Sequence, residues 1–393
     1  MAWRLKKVEE QRKELVESYL NGTMTMRELC EEFGVSRKTA HKWCVRYRSQ
    51  GDKGLKDQSK APHNPNTVYS DEIINLALEM KLKRRSWGPR KIIGKLIKNH
   101  PGKRWPCATR LYEIFKDHNL VLPRRLRSRV PATHPLGEVN HSNDVWIADF
   151  KGWFLTQDKT KCEPLTITDA FSRYLIRCTH VRKKSSEYVW AILAGAFQEY
   201  GLPTRVRTDN GPPFGSTGIG RLTPLSIKMI KAGVTPEWIN PGHPEENGRH
   251  ERFHLTLKNE VANPAATTLQ EQLRCIEHFI EEYNFERPHE ALEMHTPSEY
   301  YQQSMRIWDG VLRAPEYDSP SMLVRKVGQN GCIWIKQTEY YVGQSLMGEY
   351  IGIEEAEEGF NVRYGPIHLG KLKDGVKRVE RPKLQRKKIV RRG

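Results

Sequence analysis

The sequence has few cysteines, no long hydrophobic run and few acidic residues in its first third. Its seven cysteines are scattered, the number is odd, and no two have Cys-x-x-Cys spacing. These features argue against a disulfide scaffold or a cysteine-based structural zinc site and favour a reducing compartment. No run of 18 apolar residues is present, and the Met-Ala-Trp-Arg start is not apolar as a signal peptide is. We therefore expect a cytoplasmic protein with no membrane partner.

Positive charge is abundant and unevenly placed. The chain of 393 residues, long enough for two to four domains, carries a formal net charge of +18. Residues 1–130 hold 30 Lys and Arg against 14 Asp and Glu, and residues 377–392 hold nine against one. The remainder is net acidic. Two basic ends around an acidic middle predict nucleic-acid binding on either side of a metal-binding centre, although charge runs are also common on solvated faces.

Residues 1–50 have the pattern of three short helices. Thr25 and Glu28 form a capping-box pattern, and Ser36 is placed to cap the third helix after a Gly-Val turn. A helix, a glycine turn and a basic helix are typical of a helix-turn-helix unit that reads the major groove, with a plain three-helix bundle as the alternative. On this interpretation, DNA contacts are expected from Arg37, Lys38, Thr39, His41, Lys42 and Arg46.

A second helical unit follows a linker. Residues 51–67 are rich in Gly, Pro, Lys and Asn, which is typical of a linker. Residues 68–122 again have helical spacing, with Pro89 suited to the first turn of a helix, and predict a second helix-turn-helix domain. Residues 123–142 form a basic connector that would follow a phosphate backbone. DNA contacts from these two segments are expected at Arg90, Lys91, Arg110, Arg124, Arg125 and Arg127.

The pattern changes twice in the rest of the chain. Strand-like and helix-like stretches alternate over residues 143–302 and predict an α/β domain. After a linker at 303–321, short strands with glycine turns over residues 322–375 predict a small β-barrel. The basic tail at 376–393 has no periodicity and is expected to become ordered only on DNA. The predicted fold class is multidomain: N-terminal all-α units, a central α/β core and a C-terminal barrel.

Three acidic residues are candidates for a metal site. Asp149 follows an apolar strand, Asp209 follows a shorter strand, and Glu251 lies in an amphipathic helix. Carboxylates at strand ends and on a facing helix can converge in an α/β layer fold. Converging carboxylates can hold two Mg²⁺ ions, and paired Mg²⁺ ions cleave phosphodiesters. Asp149 and Asp209 each have a simpler interpretation, because aspartate is common in turns.

Competing patterns surround these candidates. Asp144 and Asp169 are alternative carboxylates close to the first strand. His250, Glu251 and His254 match the His-Glu-x-x-His pattern of zinc proteases, in which both histidines bind zinc. A third zinc ligand is not recognisable from its spacing, and a protease has no use for two DNA-binding units. We therefore keep a zinc metalloprotease as a remote alternative.

Taken together, the motifs resemble the integrase core of bacterial insertion-sequence transposases. This family belongs to the DDE superfamily, which includes retroviral integrases, and the resemblance covers roughly residues 140–302. It implies a ribonuclease H-like core and a Src-homology-3-like barrel after it. The YNFERPHEAL segment matches the family's post-catalytic signature, and for it we favour packing and helix termination over a catalytic role. The segments that carry the resemblance are DVWIADFKGWF, ITDAFSRYLI, TDNGPPF, NPGHPEENGRHERFHLTLKNE and YNFERPHEALEMHTPSEYY.

The resemblance assigns roles to individual residues. It implies that Asp149, Asp209 and Glu251 are the catalytic and metal-binding carboxylates and that Lys258 contacts DNA phosphate. The interval between Asp209 and Glu251 is longer than the family's habitual one. We attribute the excess to residues 212–225, expected to be a flexible loop beside the active site.

The family's task implies partners and a reaction. Two Mg²⁺ ions, which Mn²⁺ could replace, would catalyse two reactions. The first is nicking of the element end, and the second is joining of the released 3′-hydroxyl to target DNA. The partner is double-stranded DNA, comprising terminal repeats and target, and pairing two ends implies at least a dimer. Such a protein would be cytoplasmic and associated with the bacterial nucleoid. A transposase-derived DNA-binding regulator that has lost catalysis is the alternative.

Overall fold

The structure is a computed structural model, and it describes residues 7–57, 69–121, 138–240, 248–317, 321–357, 359–373 and 376–380. The chain divides into two compact units, residues 1–68 and residues 69–393. Within the described ranges, no helix is both long and apolar enough to cross a membrane.

The first unit contains the three predicted helices, which are α1 (Val8–Leu20), α2 (Met26–Glu32) and α3 (Arg37–Gln50). Thr25 and Glu28 form the predicted capping box, and the Ser36 hydroxyl accepts the backbone N–H of Thr39. These caps satisfy amide groups that have no partner within the first turn of a helix. The core contains Ala40, Trp43 and Cys44 of α3 packed against Leu15 and Val16 of α1.

The first unit extends past the predicted domain end at residue 50. Gly51–Leu55 form a 3₁₀ helix, and Leu55 is buried in the core of the unit. Arg12 Nη1 donates to the Leu55 carbonyl at 2.8 Å, and its guanidinium lies 3.9 Å from the centre of the Trp43 ring. A Cβ on Gly54 would be 2.4 Å from the Arg46 carbonyl oxygen, so this close approach needs glycine. The first seven residues of the predicted linker are thus structured, and the others lie outside the described residues.

Three more helices begin the second unit: α4 (Asp71–Lys83), α5 (Pro89–Asn99) and α6 (Ala108–Asp117). Trp87, Ile92 and Leu96 pack against Leu111 and Phe115 in their shared core. Because residues 69–393 form one compact unit, this bundle packs on the α/β core and is not a free module.

A five-stranded sheet forms the centre of the second unit. Its strands are β1 (Val145–Phe150), β4 (Pro164–Asp169), β5 (Leu175–His180), β6 (Arg205–Thr208) and β7 (Thr235–Trp238), and a small hairpin of β2 (Phe154–Leu155) and β3 (Lys161–Cys162) lies beside it. The order is β5-β4-β1-β6-β7. Strands β4 and β5 are antiparallel to their neighbours, whereas β6 and β7 run parallel to β1. The predicted α/β core is therefore present.

Helices cover both faces of the sheet. On one face, α7 (Ser186–Tyr200) and α8 (Pro224–Lys231) pack against Trp146, Ala148 and Val206. On the other, α9 (Gly248–Leu257) and α10 (Leu269–Glu281) pack through Phe253, Leu257 and Phe279 against Leu175 and Cys178 of β5. A short helix, α11 (Pro297–Tyr300), ends this region. Side chains alternate along a strand, so residues between those facing α7 point toward the α9 side.

The C-terminal region is a β domain. One antiparallel sheet has the strand order β13-β12-β11-β8 and consists of β8 (Met322–Lys326), β11 (Tyr350–Ala356), β12 (Gly359–Tyr364) and β13 (Ile367–Leu372). A separate hairpin consists of β9 (Cys332–Ile335) and β10 (Thr338–Tyr341). The described strands thus form two sheets and do not pair around a closed barrel. The first residues of the predicted basic tail belong to this domain, because Val379 is buried and Glu380 pairs with Lys371.

The segment at residues 212–225 was expected to be a flexible loop, and this interpretation is wrong. Ile219 and Leu222 are buried in the core of the C-terminal β domain. Arg221 Nη1 donates to Asn210 Oδ1 at 2.9 Å, which connects the segment to the residue after Asp209. Its glycines and prolines suggested a loop, but Ile219 and Leu222 pack in the C-terminal β domain, and Phe214 and Leu225 pack in the core of the α/β domain.

Candidate active site

Asp149 lies near the end of β1, and Asp209 directly follows the end of β6, the parallel neighbour of β1. In the parallel ladder of β1 and β6, Val145 pairs with Arg205 and Ile147 pairs with Arg207. The last pair of this ladder lies two residues before each aspartate, so both aspartates are at the same end of two neighbouring strands. Because Ala148 faces α7 and α8, Asp149 points toward the side of the sheet that α9 covers, where His250 and His254 lie.

Helix α9 is held on the sheet by hydrogen bonds to one threonine hydroxyl. Thr166 pairs with Asp149 across β1 and β4 and donates its Oγ1–H to the Asp149 carbonyl oxygen at 3.0 Å. Nε2 of His250 and Nε2 of His254 lie 2.7 and 2.8 Å from Thr166 Oγ1. Since a hydroxyl donates one hydrogen bond and accepts two, this arrangement makes both Nε2 atoms donors. His250 Nδ1 then accepts from Thr168 Oγ1 at 3.2 Å.

Glu251 lies beside these histidines and is exposed. Phe253 faces β5, packing among Leu175 and Cys178. At 3.6 residues per turn, Glu251 is displaced from Phe253 by about 160° around the helix. The strand order puts β5 and β6 on opposite sides of β1. Glu251 therefore projects from the flank of α9 opposite Phe253 and β5.

One group of side chains in the described part of the chain has metal-ligand geometry, and it is not the predicted trio. One ligand atom from each of Asp149, His250 and His254 lies within 4.8 Å of the other two. Asp209 and Glu251 are not members of this close group. Asp149 thus lies near the two histidines of the His-Glu-x-x-His pattern, which no local spacing could reveal because it is about a hundred residues upstream.

The local environment shifts the pKa values of the site residues. Burial raises the pKa of Asp209, and the Gly211 N–H donating to its carboxylate at 3.2 Å opposes the shift. Burial lowers the pKa of His254 to about 3, helped by the charge of Lys151. The pKa of fully buried His250 is lowered well below its usual value by burial and by His254. Both imidazoles are therefore neutral near pH 7.

Two lysines flank the carboxylates. Burial and the nearby charge of Lys258 lower the pKa of Lys151, which follows the end of β1. Lys258 is exposed at the end of α9. A positive pair beside Asp149 can attract a phosphate group.

The competing carboxylates have structural partners. Asp169 is buried and accepts hydrogen bonds from Asn143 N at 2.8 Å and from the backbone and side chain of Ser172. Asp144 forms an ion pair with Arg205 at 3.3 Å. Both groups therefore hold loops and strands together.

The YNFERPHEAL segment packs as expected. Asn284 Oδ1 accepts from Leu175 N at 2.8 Å and its Nδ2 donates to Leu175 O at 3.0 Å, so its amide continues the edge of β5. Arg287 is buried in an ion pair with Glu260, and Tyr283 contacts Phe253 at 5.2 Å between ring centres. These residues support α9 from behind and do not line the carboxylates.

The predicted DNA-contacting residues have different environments. On α3, Arg37, Lys38, His41 and Lys42 are exposed, while Thr39 and Arg46 are half-buried. On α5, Arg90 forms an ion pair with Glu290 at 3.4 Å, and burial lowers the pKa of Lys91 to about 8. Arg110 pairs with Glu113 at 3.0 Å. Arg124, Arg125 and Arg127 lie outside the described residues.

Sequence reasoning missed the contacts between α4, α5 and the core. Arg84 forms ion pairs with Glu282 and with Glu286, the latter at 2.7 Å. Lys98 Nζ lies 2.6 Å from Glu299 Oε1. These ion pairs join residues that are about 200 positions apart in the chain. In the sequence, the only indication of them is that residues 84–98 are basic and residues 282–299 contain several glutamates. Arg90 and Lys91 thus lie on the side of α5 that meets the core, and their DNA contact remains a prediction.

Comparison with known proteins identifies the family. Models of the integrase core domain match residues 139–244 and 232–297, and a helix-turn-helix domain model matches residues 11–63. The chain is 31% identical over 143 residues to an uncharacterized protein of insertion element IS136 from Agrobacterium fabrum, covering 34% of this chain and 70% of that protein. The chain belongs to the insertion-element transposases with a DDE integrase core. The predicted family is therefore confirmed, as are the N-terminal helix-turn-helix domain and the ribonuclease H-like core.

Two further relatives extend the comparison. An uncharacterized 31.7 kDa protein of insertion element IS407 from Burkholderia multivorans is 28% identical over 245 residues, covering 61% of this chain and 82% of that protein. Among solved structures, the simian T-cell lymphotropic virus intasome in complex with a PP2A regulatory subunit has 14% identity and a TM-score of 0.37. It covers 75% of this chain and 99% of the matched chain. The integrase core makes this transposase an enzyme of the polynucleotidyl-transferase type.

Proposed function

We propose that the chain binds the terminal repeats of an insertion element, nicks the element ends to release 3′-hydroxyls, and joins them to target DNA. The proposal is supported by the position of Asp149 near the end of β1, of Asp209 directly after the parallel strand β6, and of Glu251 on the flank of α9 opposite Phe253 and β5. These three carboxylates would form one acidic cluster, which DNA phosphates could approach only with cations between them.

The donor set fits Mg²⁺. Asp149, Asp209 and Glu251 offer only oxygen, the ligand that Mg²⁺ prefers, and Mn²⁺ accepts the same ligands. We propose that these three residues hold two such ions. When bound, the ions would supply charge stabilisation for the entering and leaving oxygens of a phosphodiester. The raised pKa of Asp209 fits this role, because a buried carboxylate without a cation is costly to ionise.

Other residues would position the DNA. Lys151 and Lys258 would contact the phosphate backbone beside the carboxylates. The exposed side chains of α3 would read the terminal repeat in the major groove. The basic connector and tail would add contacts that depend on salt but not on sequence. Synapsis of two ends would need at least a dimer, and the C-terminal β domain would take the place in the chain of the small barrel that often follows the core.

A nicking assay tests the proposal. Supercoiled DNA carrying an element end is incubated with the full chain and Mg²⁺, and 3′-hydroxyls are mapped at the end. We expect Asp149→Asn and Glu251→Gln to reduce nicking to background while end binding in a gel-shift assay persists. Asp158→Asn, on the exposed turn after β2, is the matched control and should nick normally. End binding by the unaltered chain without Mg²⁺-dependent or Mn²⁺-dependent nicking would instead indicate a DNA-binding regulator.

A further inference from the structure

Two imidazoles and a carboxylate converge at a place where the proposed chemistry needs only carboxylates. His250 and His254 are four residues apart and thus lie on one face of α9. Asp149 reaches the same point from β1, with one ligand atom of each residue within 4.8 Å of the other two. Glu251, between the histidines in sequence, is exposed and lies outside the group.

The surroundings resemble those of a metal site. His250 is 1% exposed, so its ring is fixed by packing. The Thr166 hydroxyl bonds both Nε2 atoms at 2.7 and 2.8 Å, and Thr168 bonds the second nitrogen of His250 at 3.2 Å. In metal sites, a histidine ligand is oriented by a hydrogen bond on the ring nitrogen that does not bind the metal, and the Thr168 bond at His250 Nδ1 is of this kind. A cation bound at the two Nε2 atoms would take the place of the protons that now point at Thr166, and each neutral imidazole would then carry its proton on Nδ1.

We propose that Asp149, His250 and His254 form a binding site for a divalent transition-metal ion such as Zn²⁺, separate in composition from the Mg²⁺ site but sharing Asp149 with it. Nitrogen ligands select Zn²⁺ and its neighbours over Mg²⁺, which keeps oxygen ligands. Two histidines and one carboxylate leave a position open, as in zinc sites with three protein ligands. Because one carboxylate serves both sites, Zn²⁺ at this site inhibits Mg²⁺-dependent nicking. This second part rests on the proposed function.

Metal binding is measured first, without DNA and on the full chain. Co²⁺ replaces Zn²⁺ and gives a visible absorption band when bound by a four-coordinate nitrogen and oxygen site. We expect one tight Co²⁺ per chain, displaced by Zn²⁺ and not by millimolar Mg²⁺. His254→Asn and Asp149→Asn should each weaken Zn²⁺ binding by more than about 100-fold, beyond the 10–100-fold that loss of an outer partner costs.

Two controls separate this site from its alternatives. Glu251→Gln keeps all three proposed ligands and should retain the Co²⁺ band, whereas a site formed by the predicted carboxylate trio would lose it. His278→Asn removes an exposed histidine of α10 and should also retain the band. A band that survives both His254→Asn and Asp149→Asn, or the absence of any stoichiometric Co²⁺ binding, would overturn the proposal. If His254→Asn does not fold, Asp149→Asn alone decides.

The inhibition is measured separately. Nicking in Mg²⁺ is titrated with Zn²⁺, and each variant is compared with its own rate without Zn²⁺. His254→Asn should raise the Zn²⁺ concentration that halves the nicking rate. The factor should equal the factor by which this variant weakens Zn²⁺ binding. Binding without any nicking by the unaltered chain would refute the proposed function and leave the metal site standing. Nicking that is equally sensitive to Zn²⁺ in both proteins would refute the inhibition.

Discussion

Asp149 lies near the end of β1, and Asp209 directly follows β6, the parallel neighbour of β1. Burial raises the pKa of Asp209, so its ionised carboxylate is costly to hold in the folded chain. A cation bound to Asp209 would offset this cost. This relationship leads to the first prediction.

Asp209→Asn should stabilise the metal-free protein and remove its response to Mg²⁺. A carboxyl group with a raised pKa destabilises the folded state above its ordinary pKa, and the penalty disappears as the pH falls through the raised value. The amide has no such penalty. The thermal unfolding temperature in EDTA near pH 7 should rise by about 2–4 °C per kcal/mol gained, and millimolar Mg²⁺ should add nothing further. Equal Mg²⁺ stabilisation of both proteins would remove Asp209 from the metal site.

Thr166→Val should loosen the attachment of α9. Valine keeps the shape of the side chain but leaves two buried imidazole N–H groups without their acceptor, which costs about 1–3 kcal/mol for each group left unsatisfied. Thr166→Ser keeps the hydroxyl and is the matched control. Chemical denaturation should show the loss in the valine variant alone. Imidazole ¹⁵N NMR should show both histidines with protonated Nε2 in the unaltered chain, and the opposite tautomer would contradict the assigned hydrogen bonds.

Lys91→Met should stabilise the second unit, and the gain should depend on pH. Burial, with Arg287 nearby, lowers the pKa of Lys91 to about 8, so its ammonium group is held unfavourably at pH 7. The unfolded chain binds the proton more tightly, and the unaltered protein therefore gains stability as the pH rises from about 8 to about 10.4. We expect a gain on the order of 1–3 kcal/mol at pH 7 that shrinks across this window.

Lys116→Met, on the exposed face of α6, is the control for this effect and should change the free energy of unfolding by less than about 0.5 kcal/mol. Both variants are compared with the unaltered chain by chemical denaturation at pH 7 and at pH 10. A lower stability of Lys91→Met at pH 7 would mean that the lysine is a favourable partner of Glu260 and Glu290, and the predicted gain would be wrong in sign.

Lys42→Ala should weaken the binding of all DNA sequences by a similar factor and make binding less dependent on salt. Lys42 is exposed on α3, and a lysine that neutralises one phosphate contributes about one unit to the slope of log affinity against log salt. Lys13→Ala removes the same charge from α1, where the ammonium group pairs with Asp52 at 3.1 Å, and serves as the control. Gel-shift titrations at several salt concentrations give both slopes. Equal slopes for the two variants would remove α3 from the DNA interface.

Local chemistry made much of the fold predictable. The caps at Thr25 and Ser36 act over three residues, so the helices they begin could be identified from the sequence. The extension of the first unit to Leu55 could not, because it depends on the close approach of Gly54 to the Arg46 backbone. The segment at 212–225 was misread for a similar reason, since its composition describes a loop and its partners belong to a domain more than a hundred residues away.

The sequence by itself determined the charge division of the chain, the alternating strands and helices, the three acidic motifs and the family. These depend on residue types at short spacing, where propensity and pattern act directly. Only the tertiary structure decided that the strand before Asp209 runs parallel to the strand that contains Asp149, and that α9 turns two histidines toward Asp149. Strand order and helix rotation are set by packing between residues that are remote in the chain, and no local pattern records them.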